Sequence, residues 1–242
     1  MQSGLKYMRA RGKHGLFTAA PFRTERMSCL IPSHGGVEGI LSQINSHKGC
    51  RYKILELALL FYPRYFSVTR NELQSFGTGK APINVDLQKN RTLRTTTLLA
   101  GKPRKMMNEF GEEEIVSGVD YIVTFQILAP DIKYITMFES RLRNGKFYGT
   151  QPYMGMREFS ARLDPVEDFR SISYPLNQKM IEHPNGLRTA NVNENLGISF
   201  YGTDWDDPAH PNYFAPLEVV KGIVKYPSWS EVRKLGIKRE AA

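Results

Sequence analysis

Val37, Ile40, Leu41 and Ile44 recur at helical spacing after Pro32-Ser33, and Gly49 follows them. The pattern predicts one amphipathic helix over residues 34–47. The next stretch, from Arg51 to Phe61, is almost continuously apolar and too short for a core helix, so it reads as a buried strand ended by Pro63. Val119, Tyr121, Val123, Phe125 and Ile127 alternate with mostly polar neighbours, the pattern of a strand with one face turned inward. Asp131 stands where it can cap a second helix, with Ile132, Ile135, Phe138 and Leu142 inside and Asn144-Gly145 at its end. Further strands are predicted at 156–163, 196–203 and 213–226, the last broken by a turn at Lys221-Gly222.

Residues 64–118 have another character, with Gly77, Gly79, Pro82, Gly101, Pro103 and Gly111, many cations and the acidic run Glu112-Glu113-Glu114. A loop of that length without purpose is uncommon, so the segment reads as an inserted arm, a long β-hairpin projecting from the core. The element order describes an α+β fold: a ferredoxin-like, RNA-recognition-like core with an inserted β-hairpin and a β-rich C-terminal extension. The core is then 1–63 and 119–150, the arm 64–118 and the extension 151–242.

Composition narrows the classes. Charged residues at 24% and aromatics at 11% exclude a disordered tail or a fibrous repeat. No apolar run is long enough for a membrane span, and no apolar stretch near the start reads as a secretory signal. Two cysteines, Cys29 and Cys50, cannot build a disulfide framework or a zinc site by themselves, which makes a reducing cytoplasm the expectation.

Charge is spread unevenly. The net charge is +9, but residues 1–108 hold 18 basic and 5 acidic side chains, net +13, against 15 and 19 in residues 109–242, net −4. A basic half of this kind suits a polyanion, and nucleic acid is favoured over a merely solubilising surface. In the arm Arg64, Arg70, Lys80, Lys89, Arg91, Arg94, Lys102, Arg104 and Lys105 are interleaved with Tyr65, Phe66 and Phe76. Cations for phosphates and rings for bases are what a flexible single strand needs. Lys13, Arg23 and Arg26 flank the first turn and add phosphate partners, and Arg157 beside Tyr153 is either a stacking pair or a surface ion pair with Glu158. Gly35, Gly36 and Gly39 at the start of the first helix fit close packing better than a phosphate cradle. Asp204, Asp206, Asp207 and His210 invite a hard cation, yet Pro208 and Pro211 among them read as an ordinary acidic turn, and no metal or cofactor is expected.

Several motifs occur in order: Gly15-Leu16-Phe17-Thr18, Glu25-Arg26-Met27-Ser28, Pro32-Ser33 with Gly39-Ile40-Leu41, then Asn90-Arg91-Thr92-Leu93-Arg94, Gln151-Pro152-Tyr153-Met154-Gly155-Met156-Arg157-Glu158-Phe159, and Leu196-Gly197-Ile198 before Tyr213-Phe214. Over roughly residues 5–226 the chain resembles the CRISPR-associated Cas-five family, nearest to its type I-C branch. The resemblance implies a subunit of the Cascade surveillance complex in antiviral defence. It would cap the 5′ handle of the crRNA, with the arm as a thumb wedged beside the handle. Its partners would be the crRNA, the backbone and large subunits, and target DNA through the assembled complex. A general RNA-binding factor is the reading from outside the family.

In the resembled branch the subunit is also a metal-independent endoribonuclease of CRISPR repeat RNA. A helix tyrosine and a lysine–histidine pair there supply proton transfer and charge stabilisation. Carried over, the tyrosine position falls at Asn45, the lysine at Lys133 and the histidine at Tyr134, while His47 lies just past the helix and is placed to substitute. Asn45 cannot serve as a base, so the expectation is firm RNA binding with slow or absent cleavage.

Overall fold

The computed structural model describes all residues except 19–25, 48, 74–90, 101–103, 108–112, 117, 149–150, 158, 173, 175, 205, 208, 210 and 240–242; for 26, 68–73, 91–100, 104–107, 113–116 and 239 it describes the backbone alone. In chain order the elements are β1 (Lys6–Gly12), β2 (His14–Gly15), β3 (Arg26–Met27), α1 (His34–Ile44), β4 (Arg51–Leu59), β5 (Arg64–Leu73), β6 (Arg91–Ala100), β7 (Arg104–Met107) and β8 (Glu113–Val116). There follow β9 (Val119–Leu128), α2 (Ile132–Asn144), β10 (Arg162–Pro165), β11 (Met180–Glu182), β12 (Arg188–Ala190), β13 (Glu194–Thr203), β14 (Asn212–Val219), β15 (Ile223–Lys225), α3 (Trp229–Leu235) and β16 (Lys238–Arg239).

The fold is mixed α/β around an antiparallel five-stranded sheet of order β10-β1-β9-β4-β15. Two strand–helix–strand units interlock in it: β9 lies between β1 and β4, and β1 lies between β9 and β10. The alternation of β9 works as its sequence predicts. Tyr121, Val123, Phe125 and Ile127 are buried in one core with Val37, Ile40, Leu41 and Ile44 of α1 and Ile135, Phe138 and Leu142 of α2. Leu57 and Leu59 of β4 join the same core, so α1 packs on β4.

The opposite face of the sheet is covered as well. Ile122, Ala58 and Leu60 pack under Val166, Tyr174 and Leu187 of the irregular segment after β10. Asp120, one of the polar positions of β9, is therefore buried, and Arg9 holds it at 2.9 and 2.6 Å while the Tyr174 hydroxyl donates to it at 2.5 Å.

Caps fix both long helices. The Ser33 hydroxyl accepts the Gly36 N–H at 3.1 Å, and the Asp131 carboxylate accepts the Lys133 N–H at 2.9 Å. Gly145 ends α2 in the left-handed region at φ +63°. α1 is shorter than its periodicity predicts. It stops at Ile44, because Asn45 turns extended at φ −149° and commits its side chain elsewhere. At the other end Gly35 lies against β13, where a Cβ would come within 3.0 Å of the Phe200 ring and 3.2 Å of the Tyr201 carbonyl oxygen, which is the packing role expected of it.

The strand predicted at 156–163 is displaced to Arg162–Pro165. Residues 154–159 instead form a turn in which Met154 N–H donates to Phe159 at 2.8 Å and Leu16 N–H donates to Met154 at 3.1 Å. Gly155 makes this possible at φ +80°, since a Cβ would meet the Leu16 carbonyl. The segment predicted over 213–226 divides at Lys221-Gly222 as expected: β14 stays in the C-terminal sheet β13-β14-β16, and β15 crosses to pair with β4.

In the arm β5 and β6 pair antiparallel from Arg64↔Ala100 to Leu73↔Arg91, and β7 pairs with β8. The far edge of β6 takes up β2 and β3. Among the described residues no helix is long and apolar enough to cross a membrane.

Candidate functional site

β4 begins where β9 ends, with Arg51 opposite Leu128. At this end of the sheet the loop leaving α1 meets the first turn of α2, and three of the predicted residues come together. The His47 ring lies against the Tyr134 ring, centroids 4.0 Å apart and planes inclined by 36°. Lys133 Nζ stands 5.1 Å from the centre of the Tyr134 ring and 3.6 Å from an Asp131 carboxylate oxygen. The Lys133 backbone N–H and then its ammonium hold Asp131 below the usual carboxylate range.

Asn45 lies beneath the group and is buried. Its Oδ1 accepts from Arg141 Nη1 at 2.8 Å, its Nδ2 donates to the Tyr134 carbonyl at 3.4 Å, and its own carbonyl accepts the Tyr52 hydroxyl at 2.6 Å. A buried amide with donor and acceptor both used couples the end of α1 to the start of α2. Its place in the molecule is that of a support under His47 and Tyr134. No spacing rule in the sequence marks it.

The candidates for phosphate and base contact lie at the other end of the sheet. Lys13 is exposed just after β1, and Arg64, Tyr65 and Phe66 are exposed at the base of the hairpin. Arg70 and Arg94 occupy directly opposed positions on β5 and β6, and Arg91 faces Leu73. Arg26 pairs with Thr96 of β6; Arg104 and Lys105 face Val116 and Ile115 across the second hairpin. Arg23, Lys80, Lys89, Lys102, Phe76, Glu158 and His210 lie outside the described residues. Tyr153 and Arg157 both belong to the turn that packs on Leu16, Tyr153 half-buried with its N–H on Gln43 and Arg157 exposed. From Val119 to Leu128 β9 runs the length between the two ends, about 30 Å at strand rise.

No family model matches the sequence. Two curated relatives are named CRISPR pre-crRNA endoribonuclease Cas5d. The one from Thermus thermophilus is 27% identical over 156 residues, 64% of this chain and 62% of its own, so the match spans less than two thirds of that relative. The one from Mannheimia succiniciproducens is 26% identical over 227 residues, 89% of this chain and 92% of its own. A solved structure described as a CRISPR-associated protein shares the fold with a TM-score of 0.60 at 18% identity, covering 96% of both chains. Over most of its length the chain is similar to proteins named Cas5d, members of the CRISPR-associated Cas-five family.

The acidic loop of this chain is engaged by arginines. Arg233 of α3 holds Asp204 at 2.7 and 2.8 Å, and Arg51 holds Asp206 at 2.8 and 2.6 Å. The hydrogen bonds from Arg233 and Arg51 respectively keep both carboxyls below the usual range. Arg51 and Asp206 are so far apart in sequence that periodicity gives no sign of the pair.

Proposed function

We propose that this chain is the crRNA-binding subunit of a type I, I-C-like CRISPR surveillance complex, seated on the 5′ handle and touching the backbone and large subunits. The strand order β10-β1-β9-β4 around two split strand–helix–strand units is that of a ferredoxin-like, RNA-recognition-like core and supports the reading. Its main support is the register of the hairpin, which we take as the family's thumb. That register gathers Arg64, Arg70, Arg91 and Arg94 on two paired strands of a half-chain of net +13, the density of basic positions that suits a polyanion. Co-expression with the backbone subunit and a repeat array tests the proposal. The complex should carry a crRNA whose 5′ handle is protected by this chain, and a complex that assembles on crRNA equally well without the chain would overturn it.

One observation favours a second reading, metal-independent cleavage of repeat RNA: the contact of His47 with Tyr134 beside Lys133. Cleavage of this class moves the 2′-hydroxyl proton to a base as the 2′-oxygen attacks phosphorus. An acid then protonates the departing 5′-oxygen, leaving a 2′,3′-cyclic phosphate. An imidazole carries an acceptor and a donor nitrogen, the phenol carries a donor, and the lysine ammonium suits the charge of the phosphorane. His47 is the base in this reading, Tyr134 the acid and Lys133 the electrostatic partner.

A further inference from the structure

Where β4 begins and β9 ends, an open cleft of about 540 Å³ is lined by Met1, Gln2, Gly49, Arg51, Leu128 and Pro130. Gly49 stands between His47 and Arg51 in the chain, and Pro130 adjoins the Asp131 cap, so the cleft continues directly from the candidate site. Arg51 contributes a guanidinium to this lining, beside the N-terminal ammonium of Met1, which donates to the Ala129 carbonyl at 2.6 Å. The Arg51 guanidinium engages Asp206 through two parallel hydrogen bonds of 2.8 and 2.6 Å, the fork geometry that a phosphodiester oxygen pair also satisfies.

We infer that Arg51 is a phosphate-binding residue for RNA in this cleft, and that Asp206 occupies it until RNA arrives. The inference rests on the RNA-binding reading above. Three observations carry it. The Arg51–Asp206 pair is open to solvent on both sides, with side chains 58% and 53% exposed, so solvent and salt screen it and an incoming phosphate can reach the guanidinium. The loop itself does not depend on the pair, because Asp204, 6% exposed, is clamped by Arg233 and stays in place. Asp206 released from Arg51 also keeps a cation, Arg233 Nη2 at 3.5 Å, so the exchange strands no charge. Glu38 of α1 also faces Arg51, and burial raises its pKa toward the neutral form, which reduces its competition with a phosphate.

The test measures binding of a fluorescent single-stranded RNA carrying the repeat of the source genome's CRISPR array, from 0.1 to 1 M salt. Asp206→Asn frees Arg51 and should tighten binding at 0.15 M salt by about fourfold and steepen the log K against log salt slope by about 0.7, one phosphate contact. Asp207→Asn, the same charge change two atoms of backbone away in the loop but without Arg51, should do distinctly less. In an Arg51→Gln background the Asp206→Asn effect should vanish. Equal tightening by Asp206→Asn and Asp207→Asn, or an Asp206→Asn effect that survives Arg51→Gln, overturns the inference and leaves the RNA-binding reading standing. If Arg51→Gln fails to fold, the comparison of the two aspartate variants decides alone. Wild-type protein that binds no repeat RNA at any salt overturns both.

Discussion

The imidazole of His47 rests on the ring of Tyr134, and the amide of Asn45 joins the backbone on which each is carried. The contact exists because α1 ends at Ile44, which frees the following residues to turn back across the first turn of α2. If repeat RNA is cleaved here, the reaction runs in EDTA and leaves 2′,3′-cyclic phosphate ends. His47→Ala should then slow single-turnover cleavage by about 10²–10⁴-fold, the usual worth of general acid–base participation, with RNA affinity unchanged. An unaltered rate removes His47 from the chemistry.

The basic arm makes a separate prediction. Replacing Arg91, Arg94, Arg104 and Lys105 together with Ala should flatten the salt dependence of crRNA binding by about 0.7 in slope per residue lost. Fluorescence titrations over a range of salt read this directly, and an unchanged slope detaches the arm from RNA.

Asp120 and Arg9 form a buried ion pair, with side chains 2% and 7% exposed. Asp120→Ala leaves the guanidinium buried with its main anion gone and should cost about 3–5 kcal/mol in urea unfolding. A loss below 1 kcal/mol would mean that the cation finds water or another acceptor without cost.

His34 predicts a pH dependence of stability. It is 2% exposed, stacked on Tyr201 at 4.0 Å with Tyr226 and Trp229 edge-on, and its Nδ1 has no partner. Burial lowers its pKa from 6.5 to about 4, against a smaller opposing contribution from the Tyr201 backbone. The unfolded chain therefore binds the proton first as pH falls. The contribution is complete above pH 6.5 and is lost progressively down to about pH 4, in total about 3 kcal/mol. His34→Phe should flatten the stability profile across that window, as measured by denaturant midpoints at pH 7, 5.5 and 4.

Periodic elements were legible because one apolar face against one core determines them. The inward sets of α1 and β9 are those that the spacing of Val37 to Ile44 and Tyr121 to Ile127 predicts; in α2 Ile135, Phe138 and Leu142 are buried, but Ile132, also expected inside, stands 55% exposed in the first turn, beyond the reach of the sheet. Alternation along β9 does not say what covers its other face, and here an irregular segment around Tyr174 buries Asp120 on that side. Periodicity places the end of α1 three residues too late, because only the tertiary partners of Asn45, on α2 and β4, make the extended turn worthwhile. The site was legible in part. Lys133 and Tyr134 follow from the family resemblance and His47 from its place just past the helix, and the fold brings the three together, whereas Arg51 and its aspartate meet only through the crossing of distant loops.

The pairing of β15 with β4 has a consequence for biosynthesis. β4 lies next to the outer edge of the main sheet, and its Glu56–Ala58 wait for Ile223–Lys225, a strand made only after α2 and the whole of β14. Until then the nascent chain presents a long apolar strand with an open ladder, the state in which chains join one another edge to edge. Premature stops anywhere before residue 223 should therefore yield aggregation, however complete the helices and the arm.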